Sequence, residues 1–251
     1  SISGTGALIS GSSGRLDDLT AGTGIDVKTQ GLDFSPANIS TTTGNISIEN
    51  TTSINNLPTI AAPANLSIKA GGTISQATHN NIKDTITVAG TASFNAVNGA
   101  IDLTSPTNNF SVAVSLTNTG NNSVAIVDSN ALDFGSSTLG SGSFTVTAVG
   151  ITQSGAITQA ANAGTATFNA GAGVITLANV GNDFTGLVAL NSTGATVAIT
   201  DTNALTLASP TLGANTGITA IAGTTLTLPA FNFSTGTGNI DLQSASGTLA
   251  T

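Results

Sequence analysis

The sequence contains no cysteine, methionine, tryptophan or tyrosine, and only nine phenylalanines. Without cysteine there is neither a disulfide framework nor thiol chemistry. The core has to be built from valine, isoleucine, leucine and alanine in many thin, similar layers. The lack of methionine indicates a processed chain or a piece of a longer one, and the lack of cysteine suits a protein that is exported through an oxidising compartment.

Charge is scarce as well, and basic charge above all. Charged residues make up 6 % of the chain, against about a quarter in an average globular domain. Twelve acidic residues face only Arg15, Lys28, Lys69 and Lys83, so the net charge is -8 and residues 84–251 carry no basic side chain. Nucleic acids and anionic membranes both require lysine or arginine against their phosphates. The sequence therefore predicts neither partner.

Long hydrophobic runs are also missing. No stretch of roughly 18 apolar residues occurs, so no membrane-spanning helix and no membrane insertion are predicted. Residues 1–18 lack the positive and apolar regions of a signal peptide. Mean hydropathy is nevertheless +0.29, whereas disordered chains combine low hydrophobicity with high net charge. We therefore expect an ordered chain whose polar surface consists of threonine, serine and asparagine.

One long segment is present twice. Residues 90–134 match residues 164–207, first at an offset of 74 and, after one deletion, at an offset of 73. Such self-similarity indicates a repeat architecture in which each unit stacks on its neighbours.

Short runs of alternating apolar and polar residues predict half-buried β-strands. Between them lie clusters of glycine, asparagine, serine and proline that mark turns. The runs are residues 24–29, 45–50, 65–70, 85–90, 100–105, 143–148, 225–230 and 239–244.

A shorter signature occurs four times, with a large apolar residue, glycine five positions later and isoleucine seven positions later. We expect the apolar residues to face inward and the glycine to turn the chain with a positive φ. The unequal intervals between copies argue against a propeller and suit a solenoid with insertions in its loops. The copies are Ile39-Gly44-Ile46, Phe94-Gly99-Ile101, Phe168-Gly173-Ile175 and Phe233-Gly238-Ile240.

These patterns predict an all-β protein, a parallel β-helix (β-solenoid) of roughly a dozen coils. Residues 1–251 are expected to form a single continuous β-helix segment. The alternative is a β-sandwich, which predicts hairpin turns such as Asn-Gly between adjacent strands. Only Asn98-Gly99 offers such a turn.

Five segments carry a recognisable pattern: GITQSGAITQ (150–159), GTATFNAG (164–171), VAITD (197–201), NALTL (203–207) and TLGANTG (211–217). They resemble the repeats of filamentous haemagglutinin-type adhesins, large exoproteins exported by bacterial two-partner secretion. The resemblance is clearest over residues 65–242, and implies a right-handed parallel β-helix, export across an outer membrane and a stalk or adhesive role. The family's secretion domain carries Asn-Pro motifs, and this chain has none, which favours an interior rod segment.

Few residues are candidates for chemistry. His79 is the only histidine, so a Ser-His-Asp triad, with Asp84 near in sequence, could be built only around it. No Gly-x-Ser-x-Gly motif accompanies it, and the segment is typical of an insertion loop with a solvated histidine. Asp17 with Asp18 is the only adjacent acidic pair, and Asp128 with Asp133 is the next closest.

Polysaccharide cleavage on a β-helix needs clustered acids, usually with basic residues against the substrate. Because residues 84–251 lack such basic residues, the sequence predicts no enzyme and no cofactor.

Asp128-Ser-Asn130 and Asp201-Thr-Asn203 recur at equivalent positions. A D-x-N pair can begin a calcium loop, which makes these four residues weak metal candidates, although a hard cation requires six to eight oxygens. The other interpretations are turns closed by side-chain to backbone hydrogen bonds and ladders between coils.

The sequence thus favours a non-enzymatic, secreted or cell-surface rod segment of a bacterial adhesin, with host-cell, glycan or self contacts as its partners. The alternative is a subunit that associates end to end into an extracellular fibre, matrix or sheath, because open solenoid ends are strand edges.

Overall fold

The computed structural model describes residues 2–4, 7–11, 14–16, 18–34, 38–214, 216–228 and 237–250. Within these ranges every regular element is a β-strand, and no helix there is long and apolar enough to cross a membrane. The chain divides into two compact units, Ser1–Ser129 and Asn130–Thr251.

The first unit contains twenty short strands. They are β1 (Ile2–Gly4), β2 (Ala7–Gly11), β3 (Gly14–Leu16), β4 (Leu19–Ala21), β5 (Ile25–Thr29), β6 (Leu32–Phe34), β7 (Asn38–Thr41), β8 (Ile46–Asn50), β9 (Ile54–Leu57), β10 (Thr59–Ala62), β11 (Leu66–Ala70), β12 (Ile74–Gln76), β13 (Thr78–His79), β14 (Ile82–Lys83), β15 (Ile86–Val88), β16 (Ala92–Ala96), β17 (Ile101–Leu103), β18 (Asn109–Phe110), β19 (Val114–Asn118) and β20 (Val124–Val127).

The second unit contains fifteen. They are β21 (Leu132–Phe134), β22 (Ser137–Leu139), β23 (Phe144–Thr147), β24 (Ile151–Gln153), β25 (Ile157–Gln159), β26 (Ala166–Asn169), β27 (Ile175–Leu177), β28 (Leu187–Ser192), β29 (Val197–Asp201), β30 (Leu205–Leu207), β31 (Thr211–Leu212), β32 (Ile218–Ala222), β33 (Leu226–Thr227), β34 (Ile240–Ser244) and β35 (Leu249–Ala250).

Parallel pairing between strands of successive turns builds the sheets of each unit. The first unit has a sheet β1-β4-β7-β10-β15-β18, a second β2-β5-β8-β11-β16-β19, a third β9-β12-β17-β20 and a pair β3-β6. The second unit has β21-β24-β27-β29-β32-β34, a sheet β23-β26-β28-β30-β33-β35 with β31 beside β28, and a pair β22-β25. Among the described strands only β13 and β14 pair antiparallel.

The fold is therefore a β-solenoid of about ten turns, as the alternation and the repeat predict. The number is slightly below the predicted dozen because the turns differ in length and some are longer than 20 residues. Ile46 pairs with Leu66 at 20 residues, but Leu66 pairs with Ala92 at 26. The right hand of the solenoid and the continuity of residues 1–251 stay predictions.

Alternate residues of each strand point into the core, one above another. In β8, β11, β16 and β19 the register aligns Ile48, Ile68, Phe94 and Leu116, all at most 1 % exposed. This is the stacked layering that small aliphatic residues require.

Phenylalanines pack edge to face within each core. In the first unit the ring centroids of Phe94 and Phe110 lie 5.9 Å apart. In the second, ring centroids 5.5–5.9 Å apart link Phe134, Phe144, Phe168 and Phe184 into a continuous series. T-shaped contacts of this kind stabilise aromatic pairs beyond their burial, by about 0.5–1.5 kcal/mol.

The signature marks the corner between two sheets. Ile39 and Ile46 lie on β7 and β8, and both are fully buried. The two later copies place Phe94 and Ile101 on β16 and β17, and Phe168 and Ile175 on β26 and β27, again with all four buried.

The fourth copy departs from the expectation. Phe233 lies outside the described residues. Ile240, predicted to face inward, is 45 % exposed, because β34 pairs with β32 on one side and with no described strand on the other.

The signature glycines were expected to have positive φ, and only Gly44 does, at 85°. For Gly99, Gly173 and Gly238 that expectation is wrong: they are needed for close approach. A Cβ on Gly99 would lie 2.2 Å from the main-chain nitrogen of Thr73, and one on Gly173 would lie 2.4 Å from that of Gly150. For Gly238 the nearest atom would be the main-chain carbon of Thr216, at 2.5 Å. Each corner thus packs directly on the corner of the preceding turn.

Candidate functional site

The paired Asp-x-Asn segments close turns. Asp201 is 1 % exposed, and its Oδ1 accepts a hydrogen bond from the Asn203 N–H at 2.8 Å. Its Oδ2 accepts one from the Phe184 N–H at 2.6 Å. Asp128 is 2 % exposed, and its Oδ2 accepts from the Phe110 N–H at 3.2 Å. The turn interpretation is therefore confirmed for Asp201, and Asp128 makes the equivalent bond to a phenylalanine N–H.

Burial raises the pKa of Asp201 above its usual range, because loss of water outweighs the two N–H donors, which act in the opposite direction. The negative charge of the neighbouring Asp183 adds to the increase.

A buried asparagine lies beside each of these aspartates. Asn182 is fully buried, and its Nδ2 donates to Gln153 Oε1 at 2.8 Å, to Leu177 O at 3.0 Å and to Thr200 O at 3.1 Å. Its Oδ1 accepts from Gln153 Nε2 at 2.8 Å and from the Ile157 N–H at 2.9 Å. The two amides thus bind each other reciprocally.

The first unit repeats this arrangement. Asn108 is fully buried and exchanges hydrogen bonds with Gln76, at 3.1 Å from Nδ2 and 2.8 Å to Oδ1. Its Oδ1 also accepts from the Ile86 N–H at 2.9 Å, and its Nδ2 donates to Leu103 O at 3.0 Å. We call Gln76, Asn108 and Asp128 the first polar corner, and Gln153, Asn182 and Asp201 the second polar corner.

Each polar corner connects several turns of its unit. The asparagine main-chain oxygen also accepts a bond from the residue after the aspartate, from Ser129 N–H to Asn108 and from Thr202 N–H to Asn182, each at 2.8 Å. A buried amide that satisfies all its donors and acceptors specifies one packing arrangement, since any other leaves polar groups unpaired.

This donor set does not fit a hard cation. Both carboxylate oxygens of Asp201 face N–H donors, and no group of three metal-ligating side chains occurs among the residues that the structure describes. Asn130 and Asn203 instead accept hydrogen bonds at their main-chain oxygens. Asn130 O accepts from the Val149 N–H at 2.8 Å, and Asn203 O accepts from the Thr224 N–H at 2.9 Å.

Sequence reasoning missed the glutamines. Gln76 and Asn108 are 32 residues apart, whereas Gln153 and Asn182 are 29 apart, so no fixed spacing reveals the pairing. The signal that could have found them is the similarity of Ile74-Ser75-Gln76 to Ile151-Thr152-Gln153.

The ladder interpretation is also seen, at other asparagines. Asn191 Nδ2 donates to Asn169 Oδ1 on the neighbouring strand at 2.8 Å, and Asn191 Oδ1 accepts from the Thr211 N–H at 3.1 Å.

One buried amide has no hydrogen-bond partner among the described residues. Gln159 is 6 % exposed, and within the described residues neither its Oε1 nor its Nε2 makes a hydrogen bond. It lies on β25, opposite Leu139 of β22. Gln159 follows Ile157 by two residues, as Val88 follows Ile86 in the first unit, and Val88 is fully buried. The second unit therefore carries an amide where the first has an aliphatic side chain.

His79 lies on a hairpin that projects between β12 and β15. Strands β13 and β14 pair antiparallel, and Asn80 and Asn81 at the tip have φ of 50° and 65°. The His79 side chain is 62 % exposed, as the solvated-loop interpretation predicts, with Nδ1 at 2.9 Å from Asp84 Oδ1.

Ion pairs neutralise the lysines that the structure describes. Lys69 Nζ lies 2.6 Å from Glu49 Oε1, and Lys28 Nζ lies 3.7 Å from Asp26 Oδ2. Hydrogen bonding and charge from Lys69 lower the pKa of Glu49. Lys83 Nζ lies 2.6 Å from Asp102 Oδ2.

The pKa of Asp102 lies below its usual range. Burial acts to raise it, but hydrogen bonds from Lys83 and Thr104, together with the charge of Lys83, outweigh burial.

The acidic pairs of the sequence are only partly covered by the described residues. Asp17 lies outside the described residues, and Asp18 is exposed. Asp133 accepts hydrogen bonds from the hydroxyls of Thr152 at 2.9 Å and Ser154 at 2.7 Å.

Two surface depressions lie among the described residues. One, of about 490 Å³, crosses the starts of β29, β32 and β34 and includes Thr196, Ala198, Thr219 and Asn239. The other, of about 210 Å³, is lined mainly by small residues such as Ala61, Pro63 and Ala89. None of the residues that line either depression is acidic, basic or histidine.

Fold and polar corners together define a repeat protein of the β-solenoid class. Residues 43–117 and 120–191 match a family described as repeats of unknown function (DUF5649), and since these segments cover more than half of the 251 residues, the chain belongs to this family. No curated protein and no solved structure matches the chain.

The two matched segments each contain one Gln–Asn pair, but the aspartate that completes the corner comes later. Gln76 and Asn108 lie in the first segment and Asp128 in the second, while Asp201 follows the second. Each polar corner is thus completed by residues beyond its own repeat.

Proposed function

We propose that this chain is a non-enzymatic rod or stalk segment of a bacterial surface adhesin, secreted or held at the cell surface, as its resemblance to filamentous haemagglutinin-type repeats implies. The observation that carries the proposal is the duplicated polar corner. In each polar corner the asparagine and the aspartate accept hydrogen bonds from the protein's own backbone. What is repeated is a device that holds turns together, which is the requirement of an extended support.

The hairpin of β13 and β14 is the part of this rod best suited to contact a host cell or a glycan. Nine residues separate Gln76 from Ile86, whereas only residues 154–156 separate Gln153 from Ile157. Both connections are anchored alike, since Gln76 Nε2 donates to Asp84 O at 2.5 Å and Gln153 Nε2 donates to Gly155 O at 2.6 Å.

This hairpin is therefore an addition to a corner that the two units otherwise share. Its exposed side chains include His79 and Ile82, the latter 66 % exposed. Binding residues are found preferentially on loops that a rigid scaffold positions.

Localisation tests the rod proposal directly. Antibodies raised against the chain are applied to intact cells of the source organism, and surface proteolysis is followed in parallel. We expect labelling of intact cells. Labelling that appears only after lysis would contradict the proposal, as would polysaccharide cleavage by the purified chain that His79→Ala abolishes.

The hairpin is tested by replacing residues 77–85 with Ser-Gly-Ala, the connection that the second unit uses. In this variant the carbonyl oxygen of the new glycine is expected to replace Asp84 O as the acceptor for Gln76 Nε2, as Gly155 O accepts from Gln153 Nε2 in the second unit. We expect it to lose cell or glycan binding with an unchanged circular dichroism spectrum. Full binding by the shortened variant would remove the hairpin from the proposal and leave the rod.

A second candidate is a subunit that associates end to end. Strands β34 and β35 each pair with a single described strand, and Ile240 and Leu249 on them are 45 % and 50 % exposed. A further turn of a longer chain or a second copy could cover these apolar side chains and unpaired backbone groups.

Sedimentation of the chain over a range of concentrations, beside the Ile240→Lys/Leu249→Lys variant, distinguishes the two candidates. A fibre subunit associates, and the variant does not. A stalk segment gives one species in both cases.

A further inference from the structure

The corner between β16 and β17 contains the only Asn-Gly pair of the sequence, Asn98-Gly99. Asn98 is exposed. In the part of the chain that the structure describes, neither the Asn98 side-chain amide nor the Gly99 N–H makes a hydrogen bond. Both groups are therefore free of the contacts that hold the other corner amides.

The equivalent corner of the second repeat differs in both respects. Ala172 occupies the position of Asn98, and the Gly173 N–H donates to Ala170 O at 2.8 Å. One repeat thus has a free amide next to a free glycine nitrogen, and the other has neither.

We propose that Asn98-Gly99 is a site of spontaneous covalent modification through a succinimide. The Gly99 nitrogen, after losing its proton to hydroxide, attacks Asn98 Cγ. A bond forms between that nitrogen and Cγ, the bond from Cγ to Nδ2 breaks, and the side-chain nitrogen leaves as ammonia with a proton from water. Glycine permits this approach because it has no side chain to obstruct it.

Water then opens the five-membered ring, with no oxidation or reduction at any step. Addition at Cγ breaks the bond from Cγ to the Gly99 nitrogen and leaves aspartate. Addition at the main-chain carbonyl carbon breaks the original peptide bond and leaves isoaspartate, in which the chain runs through the former side chain.

Isoaspartate lengthens the main chain by one methylene directly before Gly99. The main chain at this glycine lies directly against the preceding turn, since a Cβ on it would lie 2.2 Å from Thr73 N and 2.3 Å from Gly72 C. Its carbonyl oxygen also accepts from Asn118 Nδ2 at 3.3 Å. The modified corner therefore cannot keep its packing on the preceding turn, and the aged protein has a loosened first repeat and an unaltered second one.

The test is incubation of the purified chain in mildly alkaline buffer, followed by peptide mapping with mass spectrometry. We expect deamidation at Asn98 before any other asparagine, with isoaspartate detected by isoaspartyl methyltransferase labelling. An unmodified Asn98 at a time when other asparagines have reacted would overturn the proposal.

Two matched variants separate local structure from the dipeptide itself. Asn98→Ala introduces the residue of the second repeat and should abolish the early modification. Ala172→Asn places the same dipeptide before the engaged Gly173 N–H. In the folded protein it should react roughly five- to tenfold more slowly than Asn98, because a hydrogen bond must first be given up. In denaturant the two sites should react equally. Equal rates in the folded protein would refute the role of the free N–H.

Discussion

Replacing Gln159 by valine should stabilise the protein. The amide of Gln159 is buried on β25 opposite Leu139 and has no hydrogen-bond partner among the described residues. An unsatisfied buried polar group costs about 1–3 kcal/mol, and an ordered glutamine also loses about 1.5–2 kcal/mol of side-chain entropy. Valine removes the unsatisfied polar group and most of the loss of side-chain entropy, and Val88 already occupies the equivalent position of the first unit. We expect Gln159→Val to raise the free energy of unfolding by about 1–3 kcal/mol.

Urea denaturation followed by far-ultraviolet circular dichroism measures this change as a higher midpoint with an unchanged slope. Gln153→Val is the matched control, six positions earlier in the same chain. It removes both reciprocal bonds of the Asn182 amide and should lower the free energy of unfolding by about 2–4 kcal/mol. Two identical substitutions are thus expected to have opposite signs. If Gln159→Val is neutral or destabilising while Gln153→Val behaves as expected, the amide of Gln159 is satisfied and the reasoning is wrong.

Three further predictions follow from the corners. Asn182→Ala leaves the Gln153 amide and three backbone groups without partners and should destabilise by about 3–5 kcal/mol in the same assay. Because the folded-state pKa of Asp201 is raised, its contribution to stability is fully present below the ordinary carboxyl pKa and is lost as pH rises through the raised value. Urea midpoints from acid to neutral pH should therefore decline less for Asp201→Asn than for the wild type, and parallel curves would contradict this. Gly99→Ala should destabilise the protein far more than Gly171→Ala. A Cβ on Gly171 meets no atom within 4 Å, so only its φ of 54° imposes a cost, of about 1–2 kcal/mol. Equal melting temperatures of the two variants would refute the close-approach argument.

The strands and their inward faces could be predicted from the sequence because alternation is a local property. The run at 45–50 became β8, Ile46–Asn50, and the run at 65–70 became β11, Leu66–Ala70. Solenoid stacking could also be predicted, since the internal repeat requires equivalent residues to recur.

The role of the glycines could not be predicted in the same way. A positive φ and a close backbone approach both select glycine. Gly44 and Gly99 look alike in sequence and both lie against the preceding turn, but only Gly44 also has a positive φ. The polar corners were hidden for another reason. Their hydrogen bonds join residues up to 32 positions apart, and the hairpin insertion changes that spacing between copies. Gln159 could be recognised as unpartnered only when its neighbours on the adjacent turns were known.

In each polar corner the aspartate comes later in the chain than the backbone N–H that it accepts from. The N–H of Phe110 donates to Asp128, which lies 18 residues later in the chain, and the N–H of Phe184 donates to Asp201, 17 residues later. A polypeptide that folds from its N-terminus therefore buries each of these two N–H groups without an acceptor until the following turn is in place. The turn that brings the aspartate supplies the missing acceptor and completes the corner. Formation of each polar corner is directional in this respect, because its last member always comes from the C-terminal side.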